Sequence, residues 1–318
     1  MFVKTSFMAI CWVALAGFGY SQTKKNGPVK TMAAKPAAAK SKPAANTGQV
    51  GNTLLFEITG KGLKAPSYLF GTMHILCDKD ATLSPNLKKA IKDVQVIYFE
   101  LDLDDMGETM GAMKYLRMNE GQKLQDLLTP AEYARVEQYF KDNKSPLPLS
   151  FMSRFKPYFI SALIGEQVMT CGSEQKNGME QKIMKESQQY EREIKGLETA
   201  EYQAGLFDSI PYKKQAQDLV AYIDSIDNYK KATLEMVEVY RKQDLKGMDS
   251  LVNKTDPGME QYMDLLLYNR NRRWVANMPN IMGPRTVLFA VGAGHLSGEE
   301  GVIALLRKKG YTVTPLKN

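Results

Sequence analysis

Thr286-Val-Leu-Phe-Ala-Val-Gly-Ala-Gly-His-Leu-Ser-Gly-Glu-Glu300 is the stretch that decides the fold of this chain. Residues 286–291 form a continuous apolar run of the length of a strand buried on both faces. Gly292-Ala-Gly294 breaks the run with a turn, and Ser297-Gly-Glu-Glu300 reads as a capping box that opens a helix. The helix continues through Ile303, Leu305 and Leu306, stops at Gly310, and is followed by a strand at 311–314. Strand, helix and strand at this spacing imply a βαβ unit with parallel strands.

Working outward, residues 53–58 and 67–70 are β-rich runs separated by Gly60-Lys-Gly62, which reads as a hairpin. Ser84 and Pro85 cap and open a helix that reaches Asp93, and 94–99 is the next strand. Residues 106–280 have helical periodicity, broken by Pro130, Pro146, Pro148, Pro157, Pro211 and Pro257, with a short strand near 193–197. The expected fold is α/β: a mixed β-sheet with a parallel C-terminal βαβ unit, flanked by helices and a helical cap region over the strand ends.

Residues 1–21 read as a secretory signal peptide, with Lys4, an apolar run and small residues before a cut at Gln22. Residues 22–50 are Lys, Ala and Pro without an aromatic residue, which is the composition of a disordered linker. Residues 1–50 hold seven lysines and no acid, so the formal net charge of +7 resides there and 51–318 is neutral. A nucleic-acid partner therefore has no support from charge, whereas the linker can be drawn to an anionic membrane surface. One domain is expected over 51–318, exported to a periplasmic or extracellular location, and membrane-tethered if the signal is uncleaved. Cys77 and Cys171, the two cysteines outside the signal, are a candidate disulfide in an oxidising compartment. Cys77, three residues after His74, is otherwise a candidate metal ligand.

The chain has two histidines, and both close the same tetrad: Gly71-Thr-Met-His74 and Gly292-Ala-Gly-His295. A single histidine after a strand is ordinarily a hydrogen-bonding residue; the repetition singles out the pair. Each tetrad ends a strand, where open α/β sheets bind ligands, and Gly71 and Gly292 let the backbone turn off the strand with φ of either sign. Glu100 and Glu198 end strands too, with Asp102, Asp104 and Asp105 as substitutes for Glu100. Two imidazoles and a carboxylate form a known ligand set for a catalytic divalent metal. Such binding should fade below about pH 6.5, where imidazole protonates. Arg270 and Asn271 either orient substrate and stabilise developing charge or form a helix-surface cluster beside Trp274.

Tyr68-Leu-Phe-Gly-Thr-Met-His74, the strand ending at Glu100, Gly196-Leu-Glu-Thr199, Arg270-Asn-Arg-Arg-Trp274 and the 291–311 segment together resemble the TraB/GumN family, which is related to the Tiki metalloproteases. The resemblance implies a divalent-metal peptidase (Mn, Co or Zn) acting on a peptide or protein, with two G-x-x-H motifs and a glutamate carried onto Gly71, His74, Glu100, Gly292 and His295. His74 and His295 are the expected ligands, and Glu100 is a ligand or the general base. Two alternatives remain open on the residues alone. One is a metal-free esterase-type hydrolase using the histidines and Glu100 as acid and base; the other is an envelope protein that binds a peptide or haem without turning it over.

Overall fold

A computed structural model describes residues 52–145, 147–255 and 260–318; the signal and linker segments fall outside the described residues, as do Pro146 and Pro257. The strands are β1 (Leu55–Thr59), β2 (Ser67–Thr72), β3 (Leu76–Cys77), β4 (Val96–Phe99), β5 (Lys176–Asn177), β6 (Glu193–Gly196), β7 (Val287–Gly292) and β8 (Thr312–Pro315). Six of them form one sheet in the order β6-β4-β7-β2-β1-β8, and β3 pairs with β5 in a separate ribbon. β6, β4, β7 and β2 are mutually parallel neighbours, while β1 pairs antiparallel with β2 and β8.

The apolar run of β7 is explained by cover on both faces. Leu288 and Ala290 join Phe70, Ile97, Phe99 and the helix residues Leu87, Ile91, Ile183 and Val237 in one cluster. Val287, Phe289 and Val291 join Leu69, Val96, Trp274, Met278, Val302 and Leu306 in the other. Each such fully buried side chain stabilises the fold by roughly 1.5–3 kcal/mol. The helical middle has two further clusters, one around Leu124, Val136, Ile160, Leu219 and Tyr222, the other around Tyr158, Phe159, Phe207 and Leu266. Neither contains a strand residue, as a cap region should.

Two local expectations are revised, and the helix breaks expected at Pro130 and Pro157 are present. β7 and β8 point the same way but β2 and β1 lie between them, so the βαβ unit spans neighbours that arrive from elsewhere in the chain. The C-terminal helix is Val302–Lys308 with Gly301 at its N-cap, not Ser297. Gly298 adopts φ +80° and holds 297–301 in turns, while Ser297 Oγ bonds Asp249 and Glu300 pairs with Arg272. Pro130 and Pro157 open helices at their first turn, where the missing N–H is harmless.

Cys77 and Cys171 form a disulfide across 94 residues. It joins β3 to the segment before β5, and the β3–β5 ribbon leads to Gly178, where a Cβ would stand 2.2 Å from the His74 carbonyl oxygen. Met179 N–H donates to Met73 O at 3.1 Å. The helix Met179–Ser187 is thereby fastened to the loop that carries His74. The paired substitution Cys77→Ser with Cys171→Ser should lower unfolding free energy by up to about 4–5 kcal/mol, read as a lower urea midpoint. A midpoint equal to that of the oxidised protein would show that the ribbon alone fastens this region.

Candidate active site

The four parallel neighbours bring their carboxyl ends side by side: Glu198 follows β6, Glu100 follows β4, His295 follows β7 and His74 follows β2. The ladder continues past the strands, with Leu197 N–H donating to Phe99 O at 2.9 Å and Glu198 N–H to Glu100 O at 3.0 Å. Gly71 and Gly292 are not in the left-handed region, so conformational freedom is not why they are glycine. Space is. A Cβ on Gly71 would come within 3.0 Å of Ala293 Cβ. One on Gly292 would lie 3.1 Å from Glu100 Oε1 and 3.6 Å from both His74 Nε2 and His295 Cδ2. That position marks where the two histidines and Glu100 converge.

Beneath this point lies a buried network. Glu100 Oε1 accepts from Gly292 N–H at 2.8 Å, and its Oε2 accepts from Arg270 Nη2 at 2.5 Å and Gln203 Nε2 at 3.2 Å. Glu198 Oε1 accepts from Arg270 Nε and Gln203 Nε2, both at 2.7 Å, and Oε2 from Trp274 Nε1 at 3.0 Å. Arg270 Nη1 donates to Leu266 O and stands 3.3 Å from His295 Nε2. Arg270 and Asn271 are buried at 3% and 0% exposure, which excludes the surface-cluster reading. Asn271 Nδ2 donates to His295 O and Glu300 O, so its Oδ1, 2.6 Å from His295 Nδ1, is the acceptor there. The proton of His295 is thus held on Nδ1, and Nε2 presents a lone pair. The His295 ring stacks on Trp274 with centroids 4.4 Å apart.

His74 is oriented from the other side. Its Nδ1 lies 2.7 Å from Glu180 Oε1, on the helix that the disulfide ribbon fastens. Glu180 and Gln203 were not singled out in the sequence. Glu180 sits in the first turn of a helix, where acids are common for dipole reasons alone, and Gln203 looks like any polar helix residue. Asp102, Asp104 and Asp105 do not enter the network. The Asp102 carboxyl is pushed up to about 6 by partial burial and by Asp104 beside it. Cys77 is tied up in the disulfide and ligates nothing.

This chain matches the TraB/PrgY/gumN family over residues 54–315, most of its 318 residues. It belongs to that family. Among curated relatives, metalloprotease TIKI1 of Danio rerio is 23% identical over 299 residues, covering 78% of this chain and 60% of the relative. The metalloprotease TIKI homolog of Amphimedon queenslandica is 25% identical over 305 residues, covering 79% and 59%. Metalloprotease TIKI2 of Xenopus tropicalis is 23% identical over 303 residues, covering 78% and 57%. The chain thus spans about six-tenths of the length of these relatives. No solved structure matches it.

The relatives' names raise the question of a metal in this TraB/PrgY/gumN chain. Among the described residues, no group of three or more His, Cys, Asp or Glu is spaced to hold a metal ion. The Arg270 guanidinium instead touches Glu100 and approaches His295 Nε2. The charges of the site nevertheless fit a dication. Glu100, Glu180 and Glu198 bring three negative charges, and Arg270 offsets one. Burial opposes charge on His74, yet Glu180 and then Glu100 raise its pKa to about 9, so the imidazole fills part of the deficit with a proton. A divalent ion and a neutral His74 would close it. His295 behaves oppositely: burial outweighs Glu100, and Arg270 and His74 push it further down, to about 3. Against burial, Arg270, His295 and His74 hold Glu100 ionised, well below the carboxylate range.

With two histidines in the chain, the ring resonances of metal-free protein can be followed by NMR during a pH titration. His74 should titrate near 9 and His295 near 3. In Glu180→Gln the His74 midpoint should fall toward the ordinary imidazole value, because the largest charge that holds its proton is gone. An unchanged midpoint would show that Glu180 does not set the state of His74.

Proposed function

We propose that this chain is a metal-dependent hydrolase acting on peptide bonds, with His74 Nε2, His295 Nε2 and Glu100 Oε1 as ligands of a divalent cation. The observation that carries the reading is the convergence of the two G-x-x-H segments and Glu100 at Gly292. In addition, Nδ1 of His295 faces the Asn271 Oδ1 acceptor, and Nδ1 of His74 lies 2.7 Å from the Glu180 carboxylate. Outer partners of this kind are what fix metal-ligating imidazoles and raise their basicity. The names of the relatives support the same class. The set of two imidazoles and a carboxylate admits Mn, Co or Zn.

Bound there, a divalent cation supplies a Lewis acid that acidifies water to near neutral pH. The protein's own groups do the rest. Arg270 keeps Glu100 ionised and in place, while Glu198 and Gln203 keep Arg270 there. Asn271 and the Trp274 face fix the plane of His295. Glu180 takes the Nδ1 side of His74, and Nε2 must release its proton before it can ligate. Secretion fits the reading of 1–21 as a signal and the disulfide, and no helix among the described residues is long and apolar enough to cross a membrane.

A second reading keeps the hydrolase without the metal, and the contact of Arg270 with Glu100 and His295 favours it. There a protonated His74 is the general acid and the Arg270 guanidinium holds developing negative charge.

Purified mature protein should hold about one divalent ion per chain, a site of three protein ligands. His74→Ala, His295→Ala and Glu100→Gln should each lose most of that metal together with peptidase activity, while keeping the far-UV spectrum. Equal metal content in wild type and both histidine variants would contradict the metal site. Hydrolysis that survives a strong chelator would transfer the assignment to the second reading.

A further inference from the structure

A cavity of about 150 Å³ opens beside the turn that carries His295. Met263, Leu267 and Tyr268 give it an apolar wall, and Gly294 and Ser297 of the turn itself line the other side. A Cβ on Gly294 would meet nothing within 4 Å, so the space next to the turn is open. Leu267 and Tyr268 belong to a π-helical turn, Asp264–Tyr268, that leads directly into the helix bearing Arg270. Such turns are rare and recur at functional sites. The cavity and the buried network therefore share two chain segments.

Its charge is one-sided. Asp249, Glu299 and Glu300 line it, and no Lys, Arg or His does among the described residues. Glu300 is drawn to Arg272 at 2.7 Å and to Lys308 at 4.0 Å, and Lys308 also donates to Glu299 O. Asp249 accepts a hydrogen bond from Ser297 Oγ at 3.1 Å, and the Asp249 and Glu299 carboxylates are left to the cavity. A volume of this order takes one benzene-sized group. Methylenes against Met263 and Leu267, with a cationic head at Asp249 and Glu299, is the arrangement that long basic side chains adopt.

We propose that this cavity is the specificity pocket for a lysine or arginine side chain of a peptide substrate. The assignment as a substrate subsite rests on the peptidase reading; the occupant's chemistry rests on the cavity. The test is an NMR titration of the mature protein with Nα-acetyl-lysine amide and with Nα-acetyl-norleucine amide, which shares the chain but lacks the charge. Lysine amide should bind at least about tenfold more tightly, perturbing the amides of Gly294 and Ser297, since a hydrogen bond to a charged group is worth that much. Asp249→Asn with Glu299→Gln, both isosteric, should bring the two probes together while leaving distant amides unshifted. Equal binding of the probes to wild type, or a ratio unchanged in the double variant, overturns the proposal. Selective lysine binding by a protein that cleaves no peptide supports the pocket and contradicts the peptidase reading alone.

Discussion

Burying Arg270 between Glu100 and Glu198 takes three charges out of water, and none of them would be stable there alone. Removing one partner of such a buried group typically costs about 3–5 kcal/mol, because an unpaired charge is left behind. The surrounding architecture supplies what the group needs. β4 and β6 deliver the two carboxylates from adjacent parallel strands, and the helix Asn269–Met282 delivers the guanidinium with Trp274 one turn later. Trp274 then serves both sides, donating to Glu198 and stacking on His295. The helix that carries Arg270 thus also carries the two residues, Asn271 and Trp274, that hold the His295 ring.

Counting the neighbouring Glu180, the cluster is short of positive charge, and a proton on His74 makes up part of the shortfall. This changes the expected pH behaviour. An ordinary imidazole would free its lone pair above about 6.5, whereas the Glu180 partner keeps His74 protonated to about 9. Metal affinity should therefore keep rising through the neutral range instead of levelling off there. The disulfide ribbon contributes by fixing the helix that carries Glu180 against the His74 loop.

The parts of the site on strand ends were legible in the sequence. His74 and His295 announce themselves by a repeated tetrad, and Glu100 and Glu198 by ending β-rich runs. Their convergence was not legible, because the order β6-β4-β7-β2 is set by parallel pairing between segments far apart in sequence. Glu180 was hidden for the same reason: it meets His74 through the β3–β5 ribbon and the disulfide, contacts between segments far apart in sequence. Local chemistry misled at Ser297, where the capping-box pattern is present but Gly298 and Gly301 keep the backbone in turns. It also gave Gly71 and Gly292 the wrong reason. Their backbones need no unusual φ; a Cβ at either position would crowd its neighbours, at 3.0 Å from Ala293 and 3.1 Å from Glu100.

In a metal-loaded site a dication would replace the proton on His74 as the charge that completes the cluster. Calorimetric titration of metal-free protein with a divalent metal, repeated near pH 7.5 in buffers of different ionisation enthalpy, counts the protons released. The account requires about one proton per metal bound, and none in Glu180→Gln if that variant leaves His74 neutral at this pH. Binding without proton release in wild type, or no binding at all, would contradict it.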